Sequence, residues 1–287
     1  MRLALAQYPI ERPASLAAWR DKLDVWIARA GDAELLVLPE YACVELGVAL
    51  CGCEGDAAAE IAAVREAGPD IAATLRDVAM RHGRWLLGGS LPVARGDATV
   101  NAAPLIAPDG RIAWQDKHRP TRFDAGPWSL SPGTPPGVFD TQWGRIGIAI
   151  CYDVEFPSLV RAQVEAGAWL ILVPACTDTV AGFNRVRLAA RARAIENQCL
   201  VAVAPTVGSA PWSAGLDTNR GYAAVFGPCD RGFPEDGVLA RGTMDATQWV
   251  HATLDPTMVA RVREDGDVRN HADWPASVPA AAPRGFA

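Results

Sequence analysis

Hydrophobic and polar positions along the chain follow two rhythms. Leu16, Trp19, Leu23, Trp26, Ile27 and Ala30 recur every three or four residues, the spacing of one helix face, and Gly31 ends the pattern. After Pro69 the same rhythm returns at Ile71, Leu75 and Val78, with Gly83 as terminator. Between these stretches lie short apolar runs. Residues 34–38 stop at Pro39 and read as a buried strand, as do residues 85–89. Residues 100–106 and 111–115 flank Pro108-Asp109-Gly110, a turn sequence suited to a hairpin. Then strand and helix alternate: 145–150 strand, 157–166 helix, 169–173 strand, 184–196 helix, 199–204 strand, with later strands at 222–226 and 250–254. Apolar runs separated by helices indicate sheets buried on both faces, and the hairpin makes at least one sheet mixed. The class expected is an α/β layered sandwich.

A chain of 287 residues with 50% hydrophobic content can bury a substantial core. No linker, repeat or low-complexity block divides it, so one domain is expected over residues 1–275. Residues 276–287 turn to small residues and proline and read as a tail. The formal net charge is -6 and the pI about 5.3, which offers no global attraction to nucleic acid or to anionic lipid. The opening apolar stretch is too short for a signal peptide and runs into Pro9 and Glu11. With no apolar run of membrane-spanning length, a cytoplasmic location is expected. Seven cysteines at irregular positions imply no disulfide framework. Cys51-Gly52-Cys53 has half of a metal-ligand spacing, but no second pair or nearby histidine completes it, and His82, His118, His251 and His271 stand singly. No metal is expected.

The chemistry concentrates in Gly144-Arg-Ile-Gly-Ile-Ala-Ile-Cys151-Tyr-Asp-Val-Glu-Phe-Pro157. An apolar strand stops at a cysteine, and Pro157 opens a helix at its favoured first position. Strand ends of this kind are where open α/β sheets hold ligands. The N–H of Tyr152 would lie beside the sulfur, where an oxyanion forms. The alternative for Cys151 is a packed structural thiol, since free cysteine is among the most buried residue types. A thiol also needs activation, and no histidine follows in a papain-like arrangement before His251. Two other strand ends carry suitable groups. Glu40 follows Leu35-Leu-Val-Leu-Pro39, and Lys117 follows the hairpin strand in Trp114-Gln-Asp-Lys-His-Arg-Pro120. Taken singly, each is as well read as a solvated surface charge.

Taken together, these segments resemble the nitrilase superfamily of carbon–nitrogen hydrolases. The resemblance lies in Leu36-Val-Leu-Pro-Glu40, Asp116-Lys117 and Ile150-Cys151-Tyr-Asp-Val-Glu-Phe-Pro157. It continues through Gly167-Ala, Leu172-Val-Pro-Ala175 and Ala192-Arg-Ala-Ile-Glu-Asn-Gln198, so that it spans nearly the whole chain. It implies a four-layer αββα sandwich with two mixed sheets and a Glu40-Lys117-Cys151 triad. It further implies a homodimer or larger homo-oligomer, and no metal or organic cofactor. The implied activity is cysteine-dependent hydrolysis of a non-peptide C–N bond. A small linear amide is the first candidate, an ω-amide of a dicarboxylic acid among them. A nitrile is the alternative substrate, and a non-catalytic scaffold that keeps the fold is the alternative of another class. Members of the family commonly carry a second glutamate seven residues after the lysine. Here Asp124 holds that position, shorter by roughly 1.5 Å. It is a support candidate beside Tyr152, or else a turn aspartate before Gly126-Pro127.

Weaker signals surround these. Trp128 and Trp143 flank the loop between Lys117 and Cys151 and either wall the pocket or pack. Cys176 and Thr177 follow another strand end, in a loop through which family members often recognise substrate, and are pocket candidates. Arg185, Arg187, Arg191 and Arg193 lie on a helix and read as a solvated face or as partners for Glu165 and Glu196, with attraction of a substrate carboxylate as the functional alternative. Cys43, Cys199 and Cys229 read as packing residues.

Overall fold

A computed structural model describes residues 1–277 of the chain. The expected tail lies outside the described residues except for Ala276 and Ser277. Two sheets stack face to face. The first contains β1 (Arg2–Pro9), β2 (Leu35–Leu38), β3 (Trp85–Gly88), β4 (Leu91–Arg95), β5 (Ala98–Ile106) and β6 (Ile112–Asp116). β1, β2 and β3 run parallel, β5 is antiparallel to β3, β4 and β6, and the late strand Gln248–Thr253 is antiparallel to β1. The second contains β7 (Val138–Thr141), β8 (Gly144–Ile148), β9 (Leu170–Ala175) and β10 (Leu200–Ser209). There β8, β9 and β10 are parallel, β7 is antiparallel to β8, and the strand Ala224–Phe226 is antiparallel to β10. Both sheets are therefore mixed. β1 and β10 meet at Tyr8–Thr206 and Pro9–Val207, so hydrogen bonding passes from one sheet to the other at that corner.

The period of two along each strand sorts the side chains into layers. Leu3, Leu5, Leu35, Val37 and Leu87 point between the sheets and share a core with β8–β10. Ala4, Ala6, Leu36, Leu38 and Leu86 point the other way, onto Trp19 and Leu23 of the helix Leu16–Ala28 and Ile71, Leu75 and Val78 of the helix Gly68–His82. On the far side of the second sheet, Val160 and Val164 of the helix Pro157–Glu165 and Val186 and Ala190 of the helix Val180–Asn197 complete the fourth layer. The result is an αββα sandwich. Among the described residues, no helix is long and apolar enough to cross a membrane.

Some features depart from the sequence pattern. The opening segment, notable on the sequence only for its shortness, is the central strand β1. The helices Gly47–Cys51 and Ala57–Glu66 carry no clear apolar period. Cys229 is exposed, where packing was expected, whereas Cys43 and Cys199 are buried. Cys51 and Cys53 are joined in a disulfide across Gly52, a purely local closure.

One buried carboxylate ties a late loop to the early helices. Glu60, on the helix Ala57–Glu66 and fully buried, accepts from Ser213 Oγ at 2.6 Å and from the Ala214 N–H at 3.0 Å. Its Cβ lies against Gly47, where a methyl group would approach to 2.8 Å. The next loop residue, Gly215, sits on the Trp128 indole so closely that a Cβ there would fall 2.2 Å from Cζ2. Replacing Glu60 by alanine leaves a buried N–H and a hydroxyl without an acceptor. We expect Glu60→Ala to lower the unfolding free energy by about 2–3 kcal/mol in urea titration and to open residues 210–217 to limited proteolysis. An unchanged midpoint and an uncut loop would rule out this anchoring role.

Candidate active site

Three strand ends bring Glu40, Lys117 and Cys151 to one place. β2 ends at Leu38, and Pro39 breaks the ladder so that Glu40 lies just beyond it. β6 ends at Asp116, and the Lys117 N–H donates to Asn101 O at 2.7 Å, carrying the pairing with β5 one residue further. After β8, Cys151 opens a 3-10 turn over Cys151–Glu155 with φ at 47°, a left-handed conformation costly for a side chain with a Cβ. Tyr41, next to Glu40, is left-handed as well, at φ 60°.

Glu40, Lys117, Asp124 and Cys151 are all buried. Lys117 Nζ donates to Glu40 Oε1 at 2.8 Å and to Asp124 Oδ2 at 2.6 Å. Glu40 Oε1 also accepts from Asn101 Nδ2 at 2.9 Å, and Oε2 from the Cys176 N–H at 3.1 Å. Asp124 is held in turn by the Tyr41 hydroxyl at 2.8 Å and the Thr121 N–H at 2.8 Å, and its own N–H bonds to Thr121 Oγ1 at 3.1 Å, a capping box on a one-turn helix. The shorter aspartate thus reaches the lysine because its turn is drawn in. The Cys151 thiol donates to Cys176 O at 3.7 Å.

The electrostatics separate the two carboxylates. Burial pushes Glu40 up; Lys117 pulls it back only in part, and Asp124 adds to the rise. Burial acts on Asp124 too, but Lys117 and the Thr121 and Tyr41 donors outweigh it and hold the group below the usual carboxylate range. Burial alone would lower Lys117, yet Glu40 and Asp124 keep it well above its ordinary value. The Cys151 thiol is driven well up by burial and then by Glu40, with Lys117 opposing. Two carboxylates on one ammonium are thus shifted in opposite directions, the kind of environment in which acid and base roles can be divided.

A cavity of about 640 Å³ opens onto this cluster. Trp128, Cys176 and Thr177 line it together with Glu40, Lys117, Asp124, Cys151 and Tyr152. Trp128 is buried, edge-on to Tyr41 at 4.6 Å and to Phe123 at 5.0 Å. Trp143 instead contacts Trp85 at 5.9 Å, away from the cavity. Thr177 Oγ1 donates to Arg220 O at 2.8 Å, and Cys176 Sγ reaches Asn219 Oδ1 at 3.5 Å. Burial and Glu40 push the Cys176 thiol up to about 12. Of the four arginines, Arg185 lines the cavity. Arg193 pairs with Glu196 at 3.5 Å, Arg187 bonds Asn184 Oδ1 at 3.2 Å, and Arg191 reaches Asp236 O at 2.7 Å. Glu165 pairs with Arg161 rather than with the cluster.

The sequence pattern passed over several neighbours of the site. Asn101 is a buried amide in an otherwise apolar strand, which is its visible signal. Asp153 accepts from the His118 and Arg119 N–H groups at 3.0 and 2.8 Å and so pins the segment after Lys117 to the turn after Cys151. Tyr41 had only its place beside Glu40 to mark it.

The carbon–nitrogen hydrolase family model matches residues 2–244. The chain is 30% identical over 275 residues to a probable hydrolase of Bacillus subtilis, covering 95% of this chain and 53% of that protein. This chain therefore spans about half the length of that relative. It is 30% identical over 206 residues to an omega-amidase of Xenopus laevis, covering 68% of this chain and 70% of that one. A solved amidase from Nesterenkonia sp. superposes with a TM-score of 0.68 at 27% identity and covers 96% of each chain.

The electrostatic reading makes a prediction that needs no substrate. The Glu40 charge disfavours the thiolate of Cys151, so removing it lowers the thiol pKa. We expect the pH midpoint of Cys151 alkylation by iodoacetamide, followed by peptide mass spectrometry, to fall in Glu40→Gln. A midpoint that stays put or rises contradicts the placement of Glu40 beside the sulfur.

Proposed function

The chain belongs to the carbon–nitrogen hydrolase family, and from that membership we propose that it hydrolyses a small linear amide to a carboxylic acid and ammonia through a thioester on Cys151. The observation that carries the proposal is the buried Lys117 bonded at once to Glu40 and Asp124 beside a thiol, at the floor of a cavity. Asp124 stays ionised and fixes the ammonium, while Glu40, raised by burial, moves the proton. An ammonium has three N–H donors, and the two carboxylates engage two of them. Among the described residues the third has no hydrogen-bond acceptor and can serve the oxygen of a bound amide.

In the first half-reaction the Cys151 sulfur bonds to the amide carbon as its proton passes to Glu40. The carbonyl oxygen becomes an oxyanion against Lys117 and the Tyr152 N–H. The C–N bond then breaks, Glu40 protonates the departing nitrogen, and ammonia leaves a thioester. In the second half Glu40 takes a proton from water as its oxygen adds to the thioester carbon, the C–S bond then breaks, Glu40 returns the proton to the Cys151 sulfur, and the carboxylic acid leaves. Burial makes Glu40 a stronger base than a carboxylate in water, but it also makes the Cys151 thiol harder to ionise; Lys117 is the group that favours the thiolate as it forms.

The same residues would add the thiol across a nitrile, and product analysis separates the two substrates. The homodimer implied by the resemblance and the cytoplasmic location expected from the hydropathy pattern stand as part of this proposal. Support for the former comes from Leu188 and Ile195, two large apolar side chains left exposed seven residues apart on the helix Val180–Asn197.

Ammonia release screened over short aliphatic amides and their matched nitriles tests the proposal, with hydroxylamine added to trap an acyl-enzyme as hydroxamate. We expect amide turnover, hydroxamate formation, and a fall of about 10⁴-fold or more in kcat for Cys151→Ala, the scale seen when a covalent nucleophile is lost. Nitrile turnover without amide turnover would favour the alternative substrate. No turnover of either by folded protein with a free thiol would favour the scaffold.

A further inference from the structure

The amidase reading leaves open what the far end of the substrate carries, and the cavity wall bears on it. Outside the catalytic cluster, five charged side chains line the cavity: Glu155, Asp178 and Asp217 against Arg122 and Arg185. All but Glu155 are exposed, where water and salt weaken their fields. Glu155 stands at the end of the 3-10 turn that Cys151 begins, and its side chain retains 21% of its exposure. Its carboxylate accepts no hydrogen bond among the described residues. Its one ionic neighbour there is Arg185, at 3.9 Å, whose side chain is 65% exposed. Burial pushes the Glu155 carboxyl above the usual carboxylate range and Arg185 recovers only part of the shift, the behaviour of a carboxylate short of donors. The wall near the nucleophile therefore presents a partly desolvated anion with open acceptor sites.

Resting on the amidase reading, we infer that Glu155 is a specificity-determining residue that selects amides whose distal end carries an ammonium group and rejects those ending in a carboxylate. An ammonium placed there donates to the vacant oxygens and replaces the long Arg185 contact with a charge-assisted hydrogen bond. A carboxylate placed there meets a like charge and can be rescued only if Arg185 leaves Glu155. On this basis an ω-amide of a dicarboxylic acid is a poor substrate for this chain.

Three amides of matched length test the inference: 4-aminobutanamide, pentanamide and the monoamide of glutaric acid, which end in ammonium, methyl and carboxylate. We expect kcat/KM to fall in that order, with about tenfold or more between the extremes, the scale of one partly screened charge pair. Glu155→Gln should shrink the ammonium-to-carboxylate ratio by about tenfold, chiefly through KM, and Arg185→Gln should enlarge it. Opposite movements of one ratio are not expected from loss of packing. A second readout needs no turnover. Methanethiosulfonates with an aminoethyl or a sulfonatoethyl tail transfer that tail to the Cys151 sulfur as a mixed disulfide and release methanesulfinate. The cation-to-anion rate ratio at Cys151, divided by that of free cysteine, should drop in Glu155→Gln. If none of the three amides releases ammonia, the amidase reading fails and the reagent ratio alone decides the charge preference. A wild-type preference for the carboxylate, or ratios unmoved by Glu155→Gln, overturns the inference.

Discussion

The site depends on a lysine ammonium removed from water. An isolated buried ammonium is untenable, and Lys117 persists because Glu40 and Asp124 both bond to it. One carboxylate would neutralise it; the second leaves the cluster with an excess negative charge that the protein must place. Removing a single partner from such a buried set typically costs about 3–5 kcal/mol, since the remaining charge is then uncompensated. The excess falls on Glu40. Each carboxylate accepts from three donors, but for Asp124 they outweigh burial, whereas for Glu40 burial prevails and the Asp124 charge adds to the rise. A group that is strained as an anion and still hydrogen-bonded in place is suited to exchanging a proton with whatever lies next to it. The neighbour is Cys151.

That arrangement demands positional accuracy, and the fold supplies it from several directions. Each reactive side chain sits just past a strand whose other residues are locked between two packed layers. Two left-handed residues, Tyr41 and Cys151, turn the chain sharply at the strand ends. Conformations of that kind persist only where surrounding contacts over-determine them. Here the contacts are visible: the Tyr41 hydroxyl is tied to Asp124, and the turn after Cys151 is tied through Asp153 to the backbone after Lys117. The Cys176 N–H on Glu40 and the Cys176 carbonyl on the thiol bring in β9 as well. Elements far apart in sequence thus constrain one another through the same few atoms.

What was legible in the sequence follows from what is local. Apolar runs ended by Pro39, by Asp116-Lys117 and by Cys151 are local patterns, and they placed the strand ends and the layered class. The β1 strand was not read because its identity comes from partners at residues 35–37, 206–207 and 248–253, none of which a window on residues 2–9 contains. Asn101 and Glu60 look like ordinary strand and helix residues until their partners, 61 and 153 residues away, are in place. Asp124 illustrates the same limit at close range. Its distance along the chain from Lys117 was plain, but whether a side chain one carbon shorter reaches the ammonium depends on how tightly the Thr121 turn closes.

The two halves of the function are encoded at different depths. Glu40, Lys117, Asp124 and Cys151 are buried and fixed by the sheets, with Lys117 bonded to both carboxylates, so changing one disturbs the others. The wall of the cavity comes from the turn after Cys151 and from loops around residues 121–128, 176–178 and 214–218. Side chains there have few obligations: Glu155 has one long ion pair, to Arg185, and accepts no hydrogen bond among the described residues, and Arg122, Asp178 and Asp217 are exposed. A relative can keep the buried cluster while exchanging every charge on the wall. The identity shared with an omega-amidase, 30% over 206 residues, therefore speaks to how a C–N bond is cleaved more than to which amide enters. Under the proposed function, that second question turns on the charge of Glu155, four residues beyond Cys151, more than on overall resemblance, because a substrate in the cavity would meet it in a partly desolvated position.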